Sequence, residues 1–551
     1  MDVGVDQGTR ARRIADRYWD ELLALEPMQG TMTGDERFDD RLADPGPDGR
    51  AAGESVQRAV LAEVAGLDRR GLDEVMRTTI DVVEAIAVRY LAATEHRTDL
   101  LAPASHWFGP GNLLAEIGSL QQADTPERLD RLERRLRALP AYIDASREVA
   151  MEGIQRGVTS PRVVAERAAA QLERILALAP QDSPVVTPAR DDDARIRLSS
   201  IVADVVNPAY QDYLEFLRDD YLPHATETIG LSALPGGEAM YGAEVLAWTT
   251  MPVDPQEIHS LGHERFDSIQ EERAEIARRL GYASADEAIG ARVASGQDTI
   301  VSKDELKALA EEQVQRSWEA APAYFGRLPS TWCQVELVEE FREADMAFAF
   351  YNAPTDDGTR PGVYYVNGFD LDARARHKLA SVTYHEAHPG HHFQIALEQE
   401  TADRPAIRRF GGFLAGSAFC EGWGLYSERL ADEMGLYIDD WERMGMLEAQ
   451  AHRAGRLITD TGIHALEWTR ERSIAKLVEG GVSASDAVIE IDRYIAMPAQ
   501  ALSYMIGMIE IQKARAAAEA RLGKAFSLKD FHDRLLSLGQ LPLHALRREL
   551  G

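Results

Sequence analysis

The chain has 551 residues, with 60 Lys and Arg against 91 Asp and Glu, a formal charge of −31. Hydrophobic residues make up 45% and charged residues 27%, a globular balance that excludes wholesale disorder and supplies a large core without covalent staples. Such a charge repels phosphates, which argues against nucleic-acid and anionic-membrane partners, and only two cysteines, Cys333 and Cys420, exclude a disulfide framework and suit a reducing compartment.

Met1-Asp2-Val3-Gly4-Val5-Asp6 opens the chain with neither the basic nor the apolar stretch of a signal peptide, and no run of about 18 apolar residues follows, so the expected location is the cytoplasm. Residues 40–53, rich in Gly, Pro and Asp, read as an exposed loop. Leu129, Leu132, Leu136 and Leu139 form the apolar stripe of a helix with Thr125 as N-cap and Pro126 at its first position, and Pro140 predicts a break or kink. Ser160-Pro161 opens a second such helix, and Asp191-Asp192-Asp193 reads as a solvated helix start rather than a metal site. Leu234-Pro235-Gly236-Gly237 separates an N-terminal helical lobe (1–240) from a catalytic lobe (241–551), the two forming one continuous unit. Helices are expected over 255–282, 303–327, 439–458 and 500–522. Strand signals are confined to Val335–Val338 and Gly362–Asn367, with turn chemistry at Asn352–Gly358. The expected fold is mainly α, with an embedded sheet of two to four strands.

Four of the 14 histidines fall within eight residues, in His385-Glu386-Ala387-His388-Pro389-Gly390-His391-His392. Imidazoles clustered beside a carboxylate suit zinc or another first-row divalent ion. The zinc-hydrolase pattern of two His at i and i+4, with a Glu after the first, is not met, because Pro389 stands at i+4 from His385. His391, at i+6, would lie about 240° round a regular helix from His385. Pro389 denies the helix a donor and clashes with its preceding turn, and Gly390 tolerates unusual angles, so a local distortion can bring His391 back beside His385. His388 and His392 are an alternative pair at i and i+4, but Glu386 then precedes both; His385 and His391 are preferred. The best third ligand is Glu421, with Glu428 two turns on as its companion or a plain ion-pair partner.

His385–Gln394 and Glu421-Gly422-Trp423-Gly424-Leu425-Tyr426-Ser427-Glu428 resemble two signature blocks of the bacterial family labelled domain of unknown function 885. Asp460-Thr461-Gly462-Ile463-His464, Trp468-Thr469-Arg470-Glu471 and Pro498–Gly507 resemble further blocks, with Ala499 where the family has Gly and Thr469 where it has Ser. The resemblance implies a zincin-like, two-lobed helical channel similar to thimet oligopeptidase, Taq-type carboxypeptidases and angiotensin-converting-enzyme-like metallopeptidases. It implies one zinc per chain on His385, His391 and Glu421, with Glu386 as general base.

The expected activity is therefore a zinc-dependent hydrolase cleaving short peptides through a metal-activated water. Tyr504, and after it His464, are candidate donors to the developing oxyanion. The strand Gly362–Asn367, with Tyr365, is a candidate edge for pairing substrate backbone. Arg493 or Arg470 could grip a C-terminal carboxylate, and Asp460 could orient a ligand histidine. The same zinc chemistry on a non-peptide amide or ester, a non-haem iron oxygenase, and a catalytically silent metal- or peptide-binding protein are the alternatives. Sequence leaves the oligomeric state open, a homodimer included.

Overall fold

A computed structural model describes residues 6–338, 343, 348–355, 358, 360–371 and 374–551. Met1–Val5 and the turn residues Asp356 and Asp357 lie outside the described residues. The fold is mainly α, 72% helix against 3% strand, so helix-on-helix packing must make the core. One hydrophobic cluster runs from Ala11 to Leu550 and joins residues 11–100, Val149 and Val158 to residues 231–550, while most buried apolar residues between 104 and 225 build a separate cluster.

Local sequence accounts for most element ends. Thr125 accepts a hydrogen bond from the Arg128 N–H and opens the helix Pro126–Arg156, and Asp191 caps Asp192–Ile201 through the Ala194 N–H, so the acidic run is a helix start. Two expectations are corrected. The break expected at Pro140 does not occur: the helix continues through it, held by buried Leu136 and Leu139 before it and Ile143 after it. The 40–53 loop is shorter than expected, because Pro47 at a first helical position starts the helix Pro47–Ala65 and Gly53 lies inside it against Tyr90.

Three strands, β1 (Gln334–Leu337), β2 (Ala349–Asn352) and β3 (Val363–Val366), form a sheet in the order β1-β3-β2, with β1 parallel and β2 antiparallel to β3. Val335, Tyr364 and Val366 pack with Leu306, Ala310 and Val314 of the helix Lys303–Tyr324 and with Leu379 of the helix Arg376–Glu386. The sheet thus braces the helix that carries His385. The other face of the site is built by the helices Ala418–Glu433, Asp440–Leu466 and Ser503–Leu522. Ala418–Glu433 and Ser503–Leu522 cross at Gly422 and Gly507, where a Cβ on Gly422 would meet the Gly507 carbonyl carbon at 2.4 Å.

Candidate metal centre

The helix Arg376–Glu386 stops one residue after His385, and a new helix, His391–Gln399, begins at His391. Between them the chain turns back so closely that a Cβ on Gly390 would lie 1.8 Å from the His385 carbonyl oxygen. The Gly390 carbonyl accepts the Gln394 N–H at 3.1 Å and so starts the new helix, and the Trp423 indole N–H donates to the Pro389 and Gly390 carbonyls at 2.9 and 3.2 Å. This break brings the His385 and His391 rings to 4.7 Å between centroids, nearly perpendicular.

Glu421, from the first turn of Ala418–Glu433, completes the cluster. Its Oε2 lies 3.7 Å from His385 Nε2 and 3.4 Å from His391 Nε2. That oxygen is buried and has no hydrogen-bond partner among the described residues. Ligand atoms held about 2.0–2.2 Å from a tetrahedral zinc stand about 3.3 Å apart, so the two distances from the Glu421 oxygen are close to the spacing that a divalent ion requires. The Glu386 carboxylate also falls within 4.8 Å of the two histidines' ligand atoms. Glu386 and Glu421 are both partly buried, and Glu386 follows His385 directly in the chain.

One helix supplies most of the supporting structure. Gly424 leaves room for the His385 ring, since a Cβ there would meet its Nε2 at 2.7 Å. The Ser427 hydroxyl donates to the Tyr384 carbonyl at 3.0 Å. Glu428, fully buried, accepts the His385 Nδ1–H at 2.8 Å, which turns Nε2 toward Glu421. Glu428 is itself held by the Ser381 hydroxyl and the Gln450 amide. His391 Nδ1 meets the Cys420 sulfur at 3.4 Å. Burial works against a charged His385, but Glu421 and Glu428 outweigh it and raise its pKa to about 9. Burial would raise Glu421, but the two histidines hold it well below the usual carboxylate range.

The remaining candidates separate clearly. Tyr504 stacks 6.1 Å from the His385 ring, and burial followed by the Glu421 charge raises its pKa, so it stays a phenol. Arg493 donates to Gln500 and Glu490, and its charge, which opposes the rise at Tyr504, puts it at the border of the centre. His464 does not join the cluster: its Nδ1 accepts the Leu231 N–H and its Nε2–H donates to the Tyr494 carbonyl. Arg470 is occupied by Asp492, at 2.6 and 2.9 Å. Asp460 accepts the Tyr241 hydroxyl and the Ala499 N–H rather than a histidine. It steadies Ala499 at φ +66°, left-handed backbone that favours Gly. The strand-edge expectation is corrected, because β3 is the central strand with both edges paired; Tyr365 stacks on Phe350 of β2 at 5.0 Å.

His388 and His392 lie apart from Glu421. His392 Nδ1 accepts the Tyr351 hydroxyl at 3.0 Å and its Nε2–H donates to the Thr331 carbonyl at 2.9 Å, a strut between helix and sheet. His388 is enclosed by the rings of Trp318, Trp332, His392 and Phe393, with both nitrogens unpartnered among the described residues. Sequence reasoning missed Arg453 and Arg456, which flank Tyr504. Their place one and two turns before Asp460 on the same helix was the available signal.

Residues 27–550 match the family model described as a bacterial protein of unknown function, DUF885, and the chain belongs to that family. Comparison with curated proteins finds no match. Among solved structures, a protein from Colwellia psychrerythraea, provisionally described as a lipoprotein, is similar at a TM-score of 0.91 and 25% identity, with 99% of each chain covered. A second provisional lipoprotein, of unknown function, from Shewanella oneidensis is similar in fold at a TM-score of 0.77 and 19% identity, covering 98% of this chain and 99% of that one. Among the described residues, no helix is long and apolar enough to cross a membrane.

Proposed function

We propose that this family member is a zinc-dependent hydrolase that cleaves short peptides, with one zinc per chain held by His385, His391 and Glu421. The observation that carries the reading is the convergence of two imidazole Nε2 atoms on a buried carboxylate oxygen that has no donor of its own. The zincin-like resemblance to thimet oligopeptidase, Taq-type carboxypeptidases and angiotensin-converting-enzyme-like enzymes belongs to the same proposal and rests on the two histidines and the later glutamate.

When bound, zinc supplies a Lewis acid and lowers the pKa of a water to about 7. Glu386 takes the proton of the attacking water and passes it to the leaving amine. Tyr504 donates its hydroxyl to the carbonyl oxygen as negative charge builds there. Glu428 holds His385 in the tautomer that offers Nε2 to the metal. Trp423 keeps the chain break closed, so His385 and His391 stay in register.

The test is zinc content together with a peptide-library digest of the wild type and Glu386→Gln. About one zinc per chain is expected in both, with cleavage lower in the variant by about 10²–10⁴-fold. Zinc bound with no peptide cut ends the peptidase reading and leaves a hydrolase of non-peptide amides or esters. Activity unchanged in Glu386→Gln ends the catalytic reading as a whole and leaves a silent binding protein. Two free buried thiols suit the cytoplasm, which we keep as the proposed location although both structural neighbours are described as lipoproteins. Recovery of the native protein in a membrane fraction would overturn that placement.

A further inference from the structure

The Tyr504 ring that stacks on His385 also meets three guanidiniums. The Arg456 Cζ lies 4.3 Å and the Arg453 Cζ 5.9 Å from its centroid, and the Arg493 charge acts on its hydroxyl. Two of the three are anchored. Arg456 donates to Glu490 and to the Tyr494 hydroxyl, both at 2.9 Å, and Arg493 reaches Glu490 at 3.5 Å and donates to Gln500. Donors remain unused nevertheless. Arg456 Nη1 is buried without a partner, on a side chain only 5% exposed. Arg453 Nε is likewise buried and unpartnered, and the nearest carboxylate oxygen to that guanidinium, Glu428 Oε1 at 3.9 Å, already accepts the His385 proton.

A guanidinium presents its N–H donors in a planar fork, and leaving such donors dry and unpaired is costly. Donors are left over on Arg453 and Arg456 after Glu428 has engaged His385 and Glu490 has engaged Arg456, so the cluster calls for a further acceptor. The missing partner is therefore anionic, offers two oxygens, and reaches the site from solvent. Its place is fixed by Tyr504, which touches both the arginines and the His385 ring. An anion held by these arginines lies beside the ring that stacks on His385, a position that suits the departing end of a short peptide.

We propose that Arg453 and Arg456, with Arg493 and Tyr504 beside them, bind the free α-carboxylate of the substrate, so that the enzyme removes residues from the C-terminal end of short peptides. The inference rests on the hydrolase reading above for its chemistry, while the pocket itself can be tested without turnover.

N-acetyl-Ala-Ala and its C-terminal amide are titrated calorimetrically into metal-free protein. The acid is expected to bind at least about tenfold more tightly than the amide, the effect of one or two charge-assisted hydrogen bonds. Arg453→Met should bring that ratio towards one, Arg456→Met should lower it too, and Arg453→Lys should restore part of it. A melting temperature near that of the wild type shows that a variant is folded, and the wild-type acid-to-amide ratio stands whether or not a variant folds. Equal or undetectable binding of the two ends overturns the proposal. So does an amide ending in glutamate that binds as tightly as the free acid, because the pocket then reads a side chain. Acid preference without hydrolysis by the zinc-loaded protein supports the pocket and sinks the hydrolase reading; hydrolysis without acid preference does the reverse.

Discussion

Residues 385–392 hold two histidine pairs of almost the same internal geometry. The rings of His385 and His391 stand 4.7 Å apart at 86°, and those of His388 and His392 stand 4.9 Å apart at 89°. Their surroundings differ. The first pair faces Glu421 and Glu428, and His385 rises to a pKa of about 9. The second pair faces tryptophans, a phenol and a backbone carbonyl; burial lowers both, His392 to about 4. Ring spacing does not make a cation site. The carboxylates do, because only they repay the cost of bringing positive charge indoors.

The contrast can be broken by substitution. Removing a ligand has the largest effect: Glu421→Ala and His391→Ala should each abolish stoichiometric zinc uptake, measured by elemental analysis after gel filtration. Full zinc content in either variant would move the site elsewhere. Next comes the carboxylate behind His385. Glu428→Gln should weaken zinc binding by about 10–100-fold, read by competition with a chromophoric chelator; an unchanged affinity would reduce Glu428 to a structural ion pair.

His377 sharpens the comparison, since it also lies between two carboxylates, Asp298 at 2.7 Å and Glu448 at 3.1 Å, but with both nitrogens used. It should bind a proton instead of a metal. Burial opposes its charge, yet the two acids raise its pKa above the ordinary value of about 6.5. A raised folded-state pKa contributes stability that is complete below about pH 6.5 and fades as the pH climbs through the folded value. The melting-temperature gap between wild type and His377→Gln should therefore shrink as the pH rises above about 6.5, and a pH-independent gap would refute the assignment. The smallest effect belongs to the second pair. His388→Leu removes two unpartnered buried nitrogens from an apolar cage and should leave zinc affinity within about twofold, with stability unchanged or higher. Loss of zinc in that variant would return His388 to the ligand set.

Much of this was legible before any coordinates. The leucine stripe at 129–139, the Thr125 cap and the acidic start at Asp191 are local signals, and local signals fix helices. The preference for His385 with His391 followed from one proline and one glycine. What sequence could not supply was long-range partnership. β2 carries no strand signal of its own because the turn stretch begins at its last residue, Asn352, and strand order, which makes β3 central, leaves no trace in a single strand. Arg470 and His464 belong to motif blocks but are spent on Asp492 and on backbone groups brought in from distant segments. Arg453 and Arg456 lie about 30 residues beyond Glu421 and reach the centre only because their helix, Asp440–Leu466, packs across the one carrying His385.

The most direct test of the central claim is a crystal of the zinc-loaded protein measured at the zinc absorption edge. The account predicts a single anomalous peak within about 2.2 Å of His385 Nε2, His391 Nε2 and a Glu421 carboxylate oxygen. A peak between His388 and His392, or no peak at Glu421, would contradict it.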